Sequence, residues 1–208
     1  MSKNIFSPKT LFLLSALSTL FTVLFFNEQV AVRGGLIISG EVLYKDNISP
    51  LKYYFFNSWT LLTQFSALLF KVGLGSQTIS FCLIFLLNLI LFFSCLIIFE
   101  KFIKNTTLSI CLSCILIFFQ KNLGDTDYPS LIFTIHTYGA FAQALTGLII
   151  ATLFTNNLRI SFLLGFLLFC VHPIVGLWVL VILIFFTFIL KKIENLNSFF
   201  MILLPGLL

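Results

Sequence analysis

Ionisable side chains are missing from three long stretches of this chain, residues 10–26, 79–99 and 174–190. A hydrocarbon core of about 30 Å takes roughly 20 helical residues at 1.5 Å each, so each stretch predicts a membrane-spanning helix. Residues 106–119, 138–155 and 158–171 are shorter or more polar and predict three further spans. The last of these ends at His172-Pro173. It predicts a half-length or kinked helix, because proline removes a backbone donor. The pattern as a whole predicts an all-α fold, a polytopic transmembrane helical bundle of about six spans. With short gaps, no internal repeat and no low-complexity linker, residues 1–208 form a single membrane domain.

The longest stretch without a clear span is 27–78, expected to be an extracytoplasmic loop. Within it, residues 59–71 set Leu61, Leu62, Phe65, Leu68 and Leu69 at helical spacing, with Thr60, Gln64 and Lys71 towards another face. The segment is too short to span comfortably. It predicts an amphipathic helix lying in the outer interface, closed by Gly73 and Gly75. A crossing by this segment would reverse the orientation of everything after it. Two features inside the spans concern packing. Ala140, Ala144, Gly147 and Ala151 share a helix face and predict a close helix–helix seam. Asn88, deep in a span, calls for an interhelical hydrogen bond, and Gln143 and Thr146 are further candidates for such bonds.

Composition agrees with this class. Sixty per cent of residues are hydrophobic and 9% charged, with a mean hydropathy of +1.12, which excludes an ordinary soluble domain. Charge then gives the orientation. With the N-terminus in the cytoplasm and six crossings, the inner segments hold Lys3, Lys9, Lys101, Lys104, Arg159, Lys191 and Lys192 against Glu100 and Glu194. The outer segments hold Arg33, Lys45, Lys52, Lys71 and Lys121 against Glu28, Glu41, Asp46, Asp125 and Asp127. The positive-inside rule selects this arrangement, expected in a bacterial inner membrane. The net charge of +5 then marks topology against anionic lipid and calls for no nucleic-acid partner. Lys3 and Lys9 precede the first apolar run, which exceeds a signal-peptide core and lacks a small-x-small cleavage site, so it reads as a retained anchor. Residues 198–208 open another apolar run, and the chain reads as the N-terminal portion of a longer protein.

The same sorting separates the reactive side chains. All five tyrosines, Trp59, His136 and His172 lie in or beside the outer segments, together with five of the seven acids. Interfacial aromatic belts explain tyrosines but not carboxylates, so chemistry or polar-ligand binding is expected on the extracytoplasmic face. Asp125 and Asp127, in Gly124-Asp125-Thr126-Asp127-Tyr128-Pro129, form a turn with two oxygen donors suited to a hard cation, but no EF-hand pattern follows. His136 and His172 complete no zinc motif. Cys111 and Cys114 make a C-x-x-C pair inside a span, but the outer segments have no second cysteine pair to relay a disulfide, which argues against redox function.

The stretch 27–75 contains Glu28, Gly35, Gly40-Glu41-Val42-Leu43-Tyr44-Lys45-Asp46, Pro50 and Gly73 in that order. It resembles the first extracytoplasmic loop of the type C glycosyltransferase superfamily, over roughly residues 10–105. Asn27 stands where that family usually has Asp, leaving Glu28 as the acid of the pair. The resemblance implies a multispan enzyme whose donor is a sugar on a polyprenyl phosphate embedded in the bilayer. Glu28 and Asp46 would be its catalytic acids, with Glu28 accepting the acceptor's hydroxyl proton or helping to hold a divalent metal ion. Arg33, Lys45 and Lys52 would meet the donor phosphate, Arg being the better bidentate partner. Asp125, Asp127, His136 and His172 are the remaining candidates for substrate binding on the same face. The alternative is a non-enzymatic multispan protein, a transporter or membrane-complex subunit, in which His172-Pro173 breaks a helix and Asn88, Gln143 and His136 line a polar path.

Overall fold

The computed structural model describes residues 8–25, 35, 38–39, 60–119 and 138–191. Among them there are seven α-helices and no strand: α1 (Pro8–Phe25), α2 (Leu61–Lys71), α3 (Ser76–Ile103), α4 (Thr106–Phe119), α5 (Tyr138–Phe154), α6 (Leu158–Val171) and α7 (Pro173–Lys191). The helices fall where the apolar runs predict them, and the amphipathic segment 59–71 becomes α2. By length and composition, one helix suffices to cross a bilayer by itself. This is α3, whose 28 residues extend about 42 Å.

Polar caps set the helix ends. α2 starts at Thr60, whose hydroxyl accepts from the Thr63 amide at 3.3 Å. It stops at Gly73, with φ +90. There Gly73 N donates to Phe70 O at 2.8 Å and Leu74 N to Leu69 O at 3.2 Å, the paired bonds of a Schellman ending. α5 ends in the same way with Asn156 at φ 59, as Asn156 N donates to Leu153 O and Asn157 N to Thr152 O. Asparagine tolerates this conformation better than most residues with a Cβ. Asn157 then caps α6, so the α5–α6 turn needs only three residues between its helices. Lys104, at φ 55, closes α3, and Asn105 opens α4 by accepting from Leu108 N at 3.2 Å.

α3 is the axis of the bundle. α1 runs antiparallel to it: Leu14 packs with Phe92 and Leu96 while Thr22, further along α1, meets Asn88. α5 runs parallel to it, since Gly147 faces Ser94 and the Phe102 ring lies edge-on to Phe154 at 5.3 Å. The small-residue seam does what its spacing predicts, with Ala144 and Ala151 fully buried. α6 turns back along α5, joined by a 2.8 Å hydroxyl pair, Thr152–Ser161. α7 turns back along α6, and there Gly176 comes so close to Phe169 that a Cβ would overlap the Phe169 backbone. One end of the bundle therefore holds α2, the start of α3, the start of α5 and the α6–α7 turn. The opposite end holds the α3–α4 and α5–α6 turns. The main core joins Leu83, Leu87, Phe141, Leu145, Phe162 and Leu168 from α3, α5 and α6.

Candidate functional site

α2 meets the bundle core through Leu62, Leu69 and Phe70. Thr63, Ser66, Ala67 and Phe70 are buried, whereas Leu61, Phe65 and Leu68 are exposed. The apolar stripe that the sequence assigns to the membrane interface is thus divided, with Leu62 and Leu69 packed on the core and Leu61, Phe65 and Leu68 exposed, while the hydroxyls of Thr63 and Ser66 are buried. They are not left unpaired: Thr63 Oγ1 donates to Thr60 O at 2.9 Å, and Ser66 Oγ to Leu62 O at 2.7 Å. The buried Gly35 packs against this face. A Cβ on Gly35 would lie 2.6 Å from Ser66 Cβ and 3.1 Å from the Ala67 backbone nitrogen. The long 27–78 segment is thereby fastened to its own helix at a point two residues beyond Arg33.

Beside α2 lies an apolar cavity of about 260 Å³. Leu61, Leu62 and Phe65 of α2 form one wall, Leu83, Leu86 and Ile90 of α3 the next, and Phe141 and Leu145 of α5 with Leu167 and Val171 of α6 complete it. No polar side chain lines it. Leu61, Phe65, Leu86 and Leu167 are also exposed, so it is an open groove rather than a sealed void. An engineered apolar cavity of about 150 Å³ accepts a benzene ring, so this one has room for a longer hydrocarbon segment. The sequence could not reveal it, because a leucine lining a groove and a leucine facing lipid carry the same signal in a span.

His172 follows directly on Val171, a wall residue of that groove. It ends α6, with its amide donating to Leu168 O at 2.7 Å. It also starts α7, since its carbonyl accepts from Gly176 N at 2.9 Å and its Nδ1 accepts from Val175 N at 3.4 Å. Pro173 occupies the first position of α7, where a missing amide costs nothing. An imidazole accepting at Nδ1 keeps its neutral-form proton on Nε2, which is available as a donor. The break predicted at His172-Pro173 is therefore a turn between two helices, and the histidine caps the second of them.

The other sequence candidates, Glu28, Arg33, Lys45, Asp46, Lys52, Asp125, Asp127 and His136, lie outside the described residues. Of the residues assigned to a polar path, Asn88 is fully buried and its Nδ2 donates to Thr22 Oγ1 at 3.1 Å, while Gln143 is exposed on α5. The Asn88 Oδ1 is buried with no partner among the described residues. Cys111 and Cys114 are unbonded on α4. Among the described residues no three His, Cys, Asp or Glu side chains gather as a metal site. No family model matches the chain, nor does any curated protein or solved structure.

Proposed function

We propose that the chain is a multispan integral membrane protein of about six spans, with its N-terminus in the cytoplasm of a bacterial cell, and that it is glycosyltransferase-like. In this reading it transfers a sugar from a polyprenyl-phosphate donor on the extracytoplasmic face. The observation that carries the reading is the wholly apolar groove between α2, α3, α5 and α6. It lies towards the end of the bundle where α1 finishes and α2 begins, and in this reading the segment joining those helices brings Glu28, Arg33 and Asp46 beside it. A donor with an isoprenoid tail and a charged, sugar-bearing head needs those two surroundings side by side. The tail would lie in the groove and the head among the charges of the segment. The short helices fit a membrane bundle in which α3 crosses fully and its neighbours cross with bilayer adjustment. Glu28 supplies the general base or a metal ligand, and the cations Arg33, Lys45 and Lys52 meet the phosphate.

The test is sugar transfer from a polyprenyl-phosphate donor by the full chain. Glu28→Gln should keep its level in the membrane and lose about 100-fold or more in rate, the usual worth of a positioned base. Unchanged transfer would remove Glu28 from the mechanism. Chelation by EDTA divides its two roles: a general base keeps working, whereas a metal ligand loses its rate until a divalent ion is restored.

A further inference from the structure

The bundle end opposite the groove is chemically distinct. Here α3 ends with Lys101 in its last turn and Lys104 at its left-handed cap, and α6 begins with Arg159. All three are exposed, and none has an ion-pair partner among the described residues. The only acid among those residues is Glu100, and it is turned away. One of its oxygens accepts from Thr106 Oγ1 at 3.1 Å within the α3–α4 turn, and the other is buried. Three bases therefore face outward with no described carboxylate to meet them.

The helix dipole accounts for part of this placement. Lys101 suits the negative end of α3, but Arg159 stands in the first turn of α6, where the dipole opposes a cation and no acid is present. An apolar surface adjoins the bases. Phe102, beside Lys101 in sequence, is 66% exposed and lies edge-on to Phe154, which leads into the turn before Arg159. Ile160, next to Arg159, is exposed as well. A small soluble anion would satisfy the bases and leave the rings bare, whereas an amphiphile satisfies both.

We propose that this end of the bundle binds an anionic phospholipid, its phosphate held by Lys101, Lys104 and Arg159 and an acyl chain lying on Phe102 and Phe154. The inference rests on the membrane reading and not on sugar transfer, so the two can fail separately. A general attraction of scattered bases to a charged leaflet would raise affinity for any anionic surface without depending on the aromatic pair. A built site depends on both parts.

The experiment is thermal unfolding of the purified full chain in a neutral detergent, with phosphatidylglycerol or phosphatidylcholine added. Phosphatidylglycerol should raise the midpoint by about 5 °C more than phosphatidylcholine does, and salt should shrink that increment. Lys101→Ala, Lys104→Ala and Arg159→Ala together should abolish it, Phe102→Ala should reduce it, and Lys71→Ala at the other end should keep it. Glycerol 3-phosphate alone should give none. Retention of the increment by the triple variant overturns the proposal, as does its reproduction by glycerol 3-phosphate. If the triple variant does not fold, counting retained phosphatidylglycerol by native mass spectrometry on Phe102→Ala and on Arg159→Gln decides instead: unchanged retention in both overturns the proposal, and loss supports it.

Discussion

Three glycines in this bundle meet three different demands. Gly176 has the Phe169 backbone where a side chain would be, and backbone cannot rotate away. Gly73 has open space but a φ of +90, so a Cβ there meets strain rather than collision. Gly75 has neither constraint, with nothing within 4 Å. Alanine scanning with melting curves in detergent should rank them accordingly. Gly176→Ala should be the most damaging, Gly73→Ala should cost about 1–2 kcal/mol, and Gly75→Ala should be close to neutral. An equal effect at Gly73 and Gly75 would contradict the left-handed turn. Asn88 poses a second residue-scale question, because one end of its amide is bonded to Thr22 and the other has no described partner. A double-mutant cycle with Asn88→Ala and Thr22→Val should return a coupling of about 0.5–1 kcal/mol, the scale of hydrogen bonds between membrane helices. A coupling of zero would mean that α1 is held by the apolar cluster around Leu14, Phe92 and Leu96 without help from this bond. Sequence reasoning can mark Asn88 as needing a partner, since a lone amide among leucines is costly. It cannot choose Thr22, because helical hydroxyls commonly return bonds to their own helix, as Ser18 does to Leu14 O and Thr22 to Ser18 O.

At the scale of elements, helix positions were legible because their ends are written in residues with one job. Asn105, Asn157 and Gly73 each stop or start a helix where an apolar run meets a polar letter. Inward and outward faces were harder. The leucine stripe of α2 is split: Leu62 and Leu69 pack on the core beside the buried Phe70, Leu61, Phe65 and Leu68 are exposed, and Thr63, Ser66 and Ala67 are buried as well. Close approach of Gly35 explains the small residues, since only a small side chain fits opposite it. Ser66→Leu should therefore disrupt the close contact between α2 and Gly35, seen as faster hydrogen exchange across residues 61–71. Ser66→Ala, which keeps the size, should leave exchange near that of the parent. The candidate site was legible only by association: His172 was marked by the cost of an imidazole beside a proline, but the groove beside it is built from ten ordinary apolar residues contributed by four helices. Periodicity within one helix holds no information about what three others place opposite.

For the whole molecule, the parallel course of α3 and α5 sorts the turns to two ends, and in the proposed orientation those ends would lie on two sides of a membrane. Single cysteines in a cysteine-free background test this in intact cells. Gly75→Cys should react with an impermeant maleimide added outside, and Asn156→Cys should react only after the membrane is opened. Labelling of Asn156→Cys from outside would invert the orientation and move the groove to the cytoplasmic face. If the chain is the multispan membrane protein proposed above, the close α6–α7 turn also bears on how it would enter the bilayer. α6 extends only about 21 Å over its 14 residues, while α7 has 19. A segment that short is a poor signal to the insertion machinery as it leaves the ribosome. Its contact with α7 through Gly176 makes the two a single hairpin whose second arm supplies the missing hydrophobicity, so α6 would partition into lipid only after α7 has been synthesised.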